Sequence, residues 1–80
     1  MPAKLIHANK VVGVKQTLKA LQKGQARVVY IAQDADRKLL EPIIEQCSKL
    51  GIPIVPVGTM TDLGRACLID VGAAVASIIE

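Results

Sequence analysis

The chain has one aromatic residue, Tyr30, and neither Phe nor Trp in 80 residues. That scarcity excludes recognition of single-stranded nucleic acid by stacking bases on aromatic side chains, and with it the binding surfaces of RRM, cold-shock and ordinary OB domains. Histidine is equally scarce. His7 has neither a serine nor a cysteine beside it, so no nucleophile and base are paired in the sequence, and His7 reads as a surface or packing residue. Neither a G-x-G-x-x-G nor a Walker glycine loop occurs, which removes the usual phosphate cradles of nucleotide enzymes. The two cysteines, Cys47 and Cys67, belong to no C-x-x-C pair and sit among apolar neighbours. They read as reduced, buried thiols, the pattern of the cytosol. No apolar run reaches signal-peptide or bilayer length. The expectation is a soluble, cytoplasmic, non-enzymatic protein that uses no cofactor or metal and contacts no membrane.

What the chain has in abundance is aliphatic residues. Hydrophobic residues make up 51% of it, most of them Val, Ile, Leu and Ala. Eighty residues suffice for one such core and not two. With no repeats and no linker, the expectation is a single domain spanning 1–80. Net charge is only +3, but its distribution is uneven. Residues 1–27 hold Lys4, Lys10, Lys15, Lys19, Lys23 and Arg27 and no acid, while residues 28–80 hold four cations against seven acidic residues. A positive field confined to one third of a chain fits a polyanion-binding face, or an ordinary solvated lysine face.

Along the chain, a short helical turn is expected around Ala3 to Ala8, then a brief strand at Val11 and Val12 ending at Gly13. A helix should follow from Val14 to Lys23. On a helical wheel Val14, Thr17, Leu18 and Leu21 share its apolar side, with Lys15, Gln16, Lys19, Gln22 and Lys23 opposite. Gly24 is placed to end it in the left-handed conformation. Val28 to Ala32 is a continuous, largely β-branched run, as in a central strand covered on both faces. Asp34 and Asp36 form the only close carboxylate pair, and helix capping by one of them explains it without acid–base chemistry. Pro42 predicts a short turn through Leu40 and a fresh helix with Pro42 in its first turn, running to Leu50. Pro53 to Val57 reads as a strand at an edge, because of its two prolines. Thr59 to Asp62 has capping-box spacing for a short helix through Cys67, and Ala74 to Ile79 reads as a last strand. Alternating strands and helices give an α/β class, a three-layer α/β/α sandwich around a mixed sheet of roughly four strands.

Lys15, Gln16 and Lys19 stand at i, i+1 and i+4 on the solvent side of a helix start, where the macrodipole adds positive charge. Lysine brings charge and donors, and glutamine brings both a donor and an acceptor for a base edge. The major groove of regular A-form RNA is too narrow for a helix, so an RNA read this way must be distorted.

The segment Gly13-Val14-Lys15-Gln16-Thr17-Leu18-Lys19-Ala20-Leu21 resembles the G-T-K-Q-T-x-K-A-L segment of bacterial kink-turn-binding proteins, the YbxF type of the ribosomal protein 7Ae/30e superfamily. Leu63-Gly64-Arg65-Ala66-Cys67-Leu68-Ile69-Asp70-Val71-Gly72-Ala73-Ala74 resembles the L-G-[KR]-A-C-G-[IL]-[ED]-V-G-A-A signature of that family, and Ile31 to Asp36 its apolar strand followed by A-x-D-A-D. The three motifs occur in order over nearly the whole chain. The resemblance implies a monomer, ribosomal or associated with another ribonucleoprotein, that binds kink-turn RNA, an internal loop bent around tandem sheared G·A pairs. It places Gly13, Val14, Lys15, Gln16 and Lys19 at the G·A pairs and nearby phosphates, and Ile69, Asp70 and Val71 against a nucleotide extruded from the bend. Two departures stand out. Lys15-Gln16 replaces the Asn-Glu usual in archaeal and eukaryotic members, and Leu68 stands where the family commonly has glycine, so that a β-carbon opposes a left-handed turn. The competing expectation is a protein-interaction module of a ribonucleoprotein assembly, docking through the apolar loop from Leu68 to Val71.

Overall fold

The computed structural model describes residues 9–79. The turn expected around Ala3 to Ala8, with His7, lies outside the described residues. Within them the order is β1 (Lys10–Val12), α1 (Val14–Gln22), β2 (Ala26–Ala32), α2 (Arg37–Leu50), β3 (Ile54–Val57), α3 (Met60–Ala66) and β4 (Val75–Ile79). The strands form one mixed sheet in the order β1-β4-β2-β3. β4 runs antiparallel to both β1 and β2. β2 and β3 are parallel, with α2 supplying the crossover that parallel neighbours need.

The unbroken apolar run in β2 is explained by its central place. Tyr30 and Ala32 point into a cluster with Leu63, Ala66 and Cys67 of the α3 side, while Val29 and Ile31 point into a second cluster with Leu21, Ile43 and Cys47 under α1 and α2. Helices therefore cover both faces of the sheet, and the architecture is the three-layer α/β/α sandwich. Apart from Tyr30, both cores are aliphatic or thiol. Among the buried polar groups, the Ser77 hydroxyl of β4 donates to the Val28 carbonyl at 3.0 Å, which removes most of the cost of its burial.

The expected break near Pro42 does not occur. α2 is one helix of 14 residues with Pro42 inside it. Leu40, Ile43 and Cys47 recur on its buried face and hold it to the sheet. Pro42 and Lys38 lie on the exposed face, where the Lys38 carbonyl, which a proline cannot serve, is accessible to solvent in place of a helix N–H. The usual cost of an interior proline is thereby reduced. Asp36 is the N-cap of α2, its carboxylate accepting from the Lys38 N–H at 3.0 Å. β3 lies at the sheet edge, as its prolines suggest, but begins at Ile54 rather than Pro53.

Candidate nucleic-acid interface

Four connections meet at one end of the sheet and are sewn together by backbone hydrogen bonds. The Gly13 N–H, between β1 and α1, donates to the Val75 carbonyl at 2.9 Å. Past the end of β2, Gln33 donates to Val57 at 2.8 Å, and Ala32 donates to Ala74 at 2.9 Å. Ala73 donates to the Met60 carbonyl at 3.0 Å, closing the α3–β4 connection onto the start of α3. The segments expected from sequence to act together, Gly13 to Lys19 and Ile69 to Val71, therefore lie toward the same end of the sheet, where Gly13 is bonded to the start of β4 that follows the second segment.

Gly13 has φ 102° and ψ 161°, a region open essentially to glycine alone. A β-carbon built there would meet nothing within 4 Å, so the demand for glycine comes from the backbone turn, and the space beside it is open. Gly13 is also the N-cap of α1, and no side chain caps the helix. The first intrahelical bond in this turn runs from Thr17 N–H to the Gly13 carbonyl, so the N–H groups of Val14, Lys15 and Gln16 precede it in the ladder. No acidic residue occupies the first turn. The positive end of the helix thus keeps its field, in the arrangement that attracts phosphate and other anions.

The two sides of α1 separate as the wheel predicts. Thr17, Ala20 and Leu21 are buried, Val14 and Leu18 half-buried, and Lys15, Gln16 and Lys19 exposed. The Thr17 hydroxyl is turned inward and its Oγ1 has no hydrogen-bond partner. Gly24, at φ 71°, closes the helix as expected.

The α3–β4 loop divides its apolar residues. Ile69 is half-buried and packs against the core on the α3 side. Asp70 is exposed, and Leu68 and Val71 are each 70% exposed. Of the residues assigned to the loop contact from sequence, Ile69 thus serves mainly as the anchor, and Leu68 joins Val71 as its exposed apolar surface. The opposition of Leu68 to a left-handed turn is overridden: its φ is 62°. Leu68 N–H donates to Arg65 at 3.0 Å and Ile69 N–H to Gly64 at 3.1 Å, the paired bonds of a Schellman ending that requires this conformation.

Residues that sequence reasoning passed over shape this loop. A β-carbon on Gly64 would collide with the Val71 carbonyl oxygen and come 3.2 Å from the Gly72 Cα. One on Gly72 would lie 3.1 Å from the Met60 Cβ. Both glycines permit close approach of the loop to α3, and the signal for them was their place inside the family signature. Asp34, a candidate cap for the following helix by its sequence position, serves a different helix. Its carboxylate accepts from the Met60 N–H at 2.8 Å, while Thr59 Oγ1 accepts from the Asp62 N–H at 3.0 Å, so two side chains serve the start of α3.

Cys47 and Cys67 are free and buried, and burial raises both thiols above their ordinary value. For Cys67 the positive charge of Lys10 acts in the opposite sense. Among the described residues no group of three His, Cys, Asp or Glu side chains could hold a metal ion, and no helix is long and apolar enough to cross a membrane.

An uncapped, lysine-bearing helix start beside an exposed apolar loop, on an α/β/α frame, defines a small binding module. Residues 2–80 match the Ribosomal protein L7Ae/L30e/S12e/Gadd45 family, and the chain belongs to it. It is 40% identical over 78 residues to the RNA-binding protein YbxF of Geobacillus stearothermophilus, covering 96% of this chain and 95% of that one. It is also similar to an RNA-binding protein of Caldanaerobacter subterraneus, at 52% identity over 68 residues, covering 85% of this chain and 83% of that one. Among solved structures, the Giardia lamblia 15.5kD RNA binding protein superposes with a TM-score of 0.86 at 33% identity, over 98% of this chain and 70% of that one.

Proposed function

We propose that this chain binds structured RNA and selects kink-turns, in which tandem sheared G·A pairs open a groove that a helix start can enter. The observation that carries this reading is the convergence of two unlike surfaces on one end of the sheet. Lys15, Gln16 and Lys19 offer charge and base-edge donors at the positive end of α1, and the loop around Ile69, Asp70 and Val71 offers apolar contact beside it. Regular A-form RNA exposes no groove to the first surface and no unstacked base to the second, whereas a sharply bent internal loop supplies both. The relatives named RNA-binding proteins support RNA as the partner. Gly13 and Val14 would lie closest to the RNA backbone, where the open space beside Gly13 admits a phosphate. The protein acts in this reading as a cytoplasmic monomer on ribosomal or other ribonucleoprotein RNA, binding without catalysis.

The test is competition between two RNAs of equal length and charge. A kink-turn RNA should bind at least about tenfold more tightly than the same RNA with each sheared G·A pair replaced by a Watson–Crick pair. Equal affinity for the two would leave only non-specific electrostatics.

A further inference from the structure

Two prolines, Pro53 and Pro56, stand either side of Ile54 and Val55, and the sheet ladder turns them in opposite directions. The Val29 N–H donates to the Pro53 carbonyl at 3.0 Å and the Gln33 N–H to the Val57 carbonyl at 2.8 Å. β2 and β3 run parallel, in register from Val29 with Ile54 to Ala32 with Val57. Backbone groups alternate sides along a strand, so Pro53, Val55 and Val57 address β2, while Ile54 and Pro56 address the outside of the sheet. Pro53 therefore withholds an N–H from β2, and β3 begins only at Ile54. Pro56 withholds one from the outer edge.

That edge is otherwise adhesive. β3 stands last in the strand order, and residues 51–58 carry no charged side chain, so the charges that commonly guard a sheet edge are missing. Ile54 is 38% exposed. Between β3 and α2 a cavity of about 480 Å³ is lined by Ile31, Leu40, Ile44, Ile54 and Pro56 among others, which extends the apolar surface inward.

The strand that fits this edge in length and character is β3 of a second copy, antiparallel across a two-fold axis. An axis at Val55 sets Ile54 opposite the copy's Pro56, a pair that would exchange two N–H···O bonds. Pro56 lacks the donor for one of them in each pair, and its ring fills the place of the missing hydrogen. Half of the ladder is lost. An axis at Ile54 sets Pro56 opposite Ile52, whose N–H already donates to the Cys47 carbonyl at 3.0 Å, so only the central Ile54 pair remains. An axis at Pro56 places two residues without donors face to face.

We propose that Pro56 bars β3 from pairing with a second copy of this chain, and so keeps the domain monomeric although its edge is apolar and uncharged. The proposal deepens the monomer reading given above and rests on it.

The experiment restores the N–H at each proline separately, in the full chain, as Pro56→Val, Pro56→Thr and Pro53→Val. Mass is followed by sedimentation equilibrium from micromolar to millimolar protein, folding by circular dichroism, and the Ile54 amide by hydrogen exchange. The unsubstituted chain and Pro53→Val should keep the mass of one chain, because the donor restored at Pro53 faces β2. Pro56→Val and Pro56→Thr should approach twice that mass as concentration rises, with exchange of the Ile54 amide slowed at least about tenfold. Adding Ile54→Lys to Pro56→Val should return the mass to that of one chain. Folded Pro56→Val and Pro56→Thr that stay monomeric throughout would overturn the proposal. So would equal association of Pro53→Val, or association that leaves exchange at Ile54 unchanged. An unsubstituted chain already at twice its mass would instead overturn the monomer reading.

Discussion

The carboxylate of Asp34 accepts a 2.8 Å hydrogen bond from the Met60 N–H, joining the loop after β2 to the first turn of α3 across 26 positions of sequence. Met60 also accepts from Ala73, so the same residue ties the β2–α2 loop to the α3–β4 loop. Asp34→Ala should remove one end of this tie and leave a helix N–H without its partner. The expected loss is about 1 kcal/mol, seen as a fall in melting temperature of roughly 4–8 °C for a domain of this size. Asp34→Asn keeps an acceptor oxygen and should lose less. An unchanged melting temperature for Asp34→Ala would mean that water serves Met60 equally well.

Gly64 is the fixed point of the loop that follows α3. Its carbonyl holds Ile69, and the absence of a side chain lets the Val71 carbonyl lie against it. In Gly64→Ala the new methyl group collides with backbone, which cannot rotate away as a side chain could. Overpacking of this kind costs typically about 1–3 kcal/mol. The substitution should lower the melting temperature and, by displacing Leu68 to Val71, also weaken RNA binding. If Gly64→Ala binds RNA as tightly as the unsubstituted chain while folded, the position of this loop does not govern affinity.

Where local pattern and tertiary context agree, the sequence was sufficient. The β-branched run Val28 to Ala32 lies in a strand covered on both faces, and the apolar side of α1 is the side that is buried. Context overrode local preference in two places. Pro42 remains inside α2 because Leu40, Ile43 and Cys47 bury around it while its own face is wet, and no window of sequence around Pro42 reveals that. Leu68 adopts a conformation its β-carbon opposes because the two bonds to Arg65 and Gly64 demand it. The candidate site was legible at Lys15, Gln16 and Lys19, which helical spacing alone brings together. Asp34, Met60 and Gly64 were not, since their roles depend on contacts between segments far apart in the chain.

The thiols give a pH dependence with a definite sign. Burial raises Cys47 and Cys67 above the ordinary value of 9.0, with Lys10 partly opposing the rise at Cys67. Near and above pH 9 the unfolded chain therefore releases these protons more readily than the folded one. Their contribution to stability is complete below the unfolded value and is lost as pH rises through the folded value. Thermal unfolding followed from pH 7 to pH 10.5 should show a decline on the alkaline side, and Cys47→Ala with Cys67→Ala should flatten it while lowering stability at neutral pH through the cavities left. Thiol reagents should modify both residues slowly in the folded chain and rapidly once it is unfolded. Rapid modification of the folded chain would contradict the burial of either sulfur.

Salt dependence separates the two surfaces of the candidate interface. Lys15 and Lys19 stand one helical turn apart on the exposed side of α1, at an end of the helix where no acidic side chain competes with phosphate. If both neutralise phosphates, Lys15→Ala with Lys19→Ala should weaken RNA binding and lower the magnitude of the slope of log affinity against log salt. The reduction should be roughly 0.7–0.9 for each lysine, so between about 1.4 and 1.8 for the pair. Val71→Ala acts on an apolar contact and releases no counterions, so it should weaken binding by a similar factor at every salt concentration and leave the slope unchanged. Titrations from 50 to 200 mM salt on one kink-turn RNA would measure both effects. A slope unaffected by the lysine substitutions would remove phosphate contact from the helix start, and a slope changed by Val71→Ala would mean that the loop acts by placing the lysines rather than by touching the RNA itself.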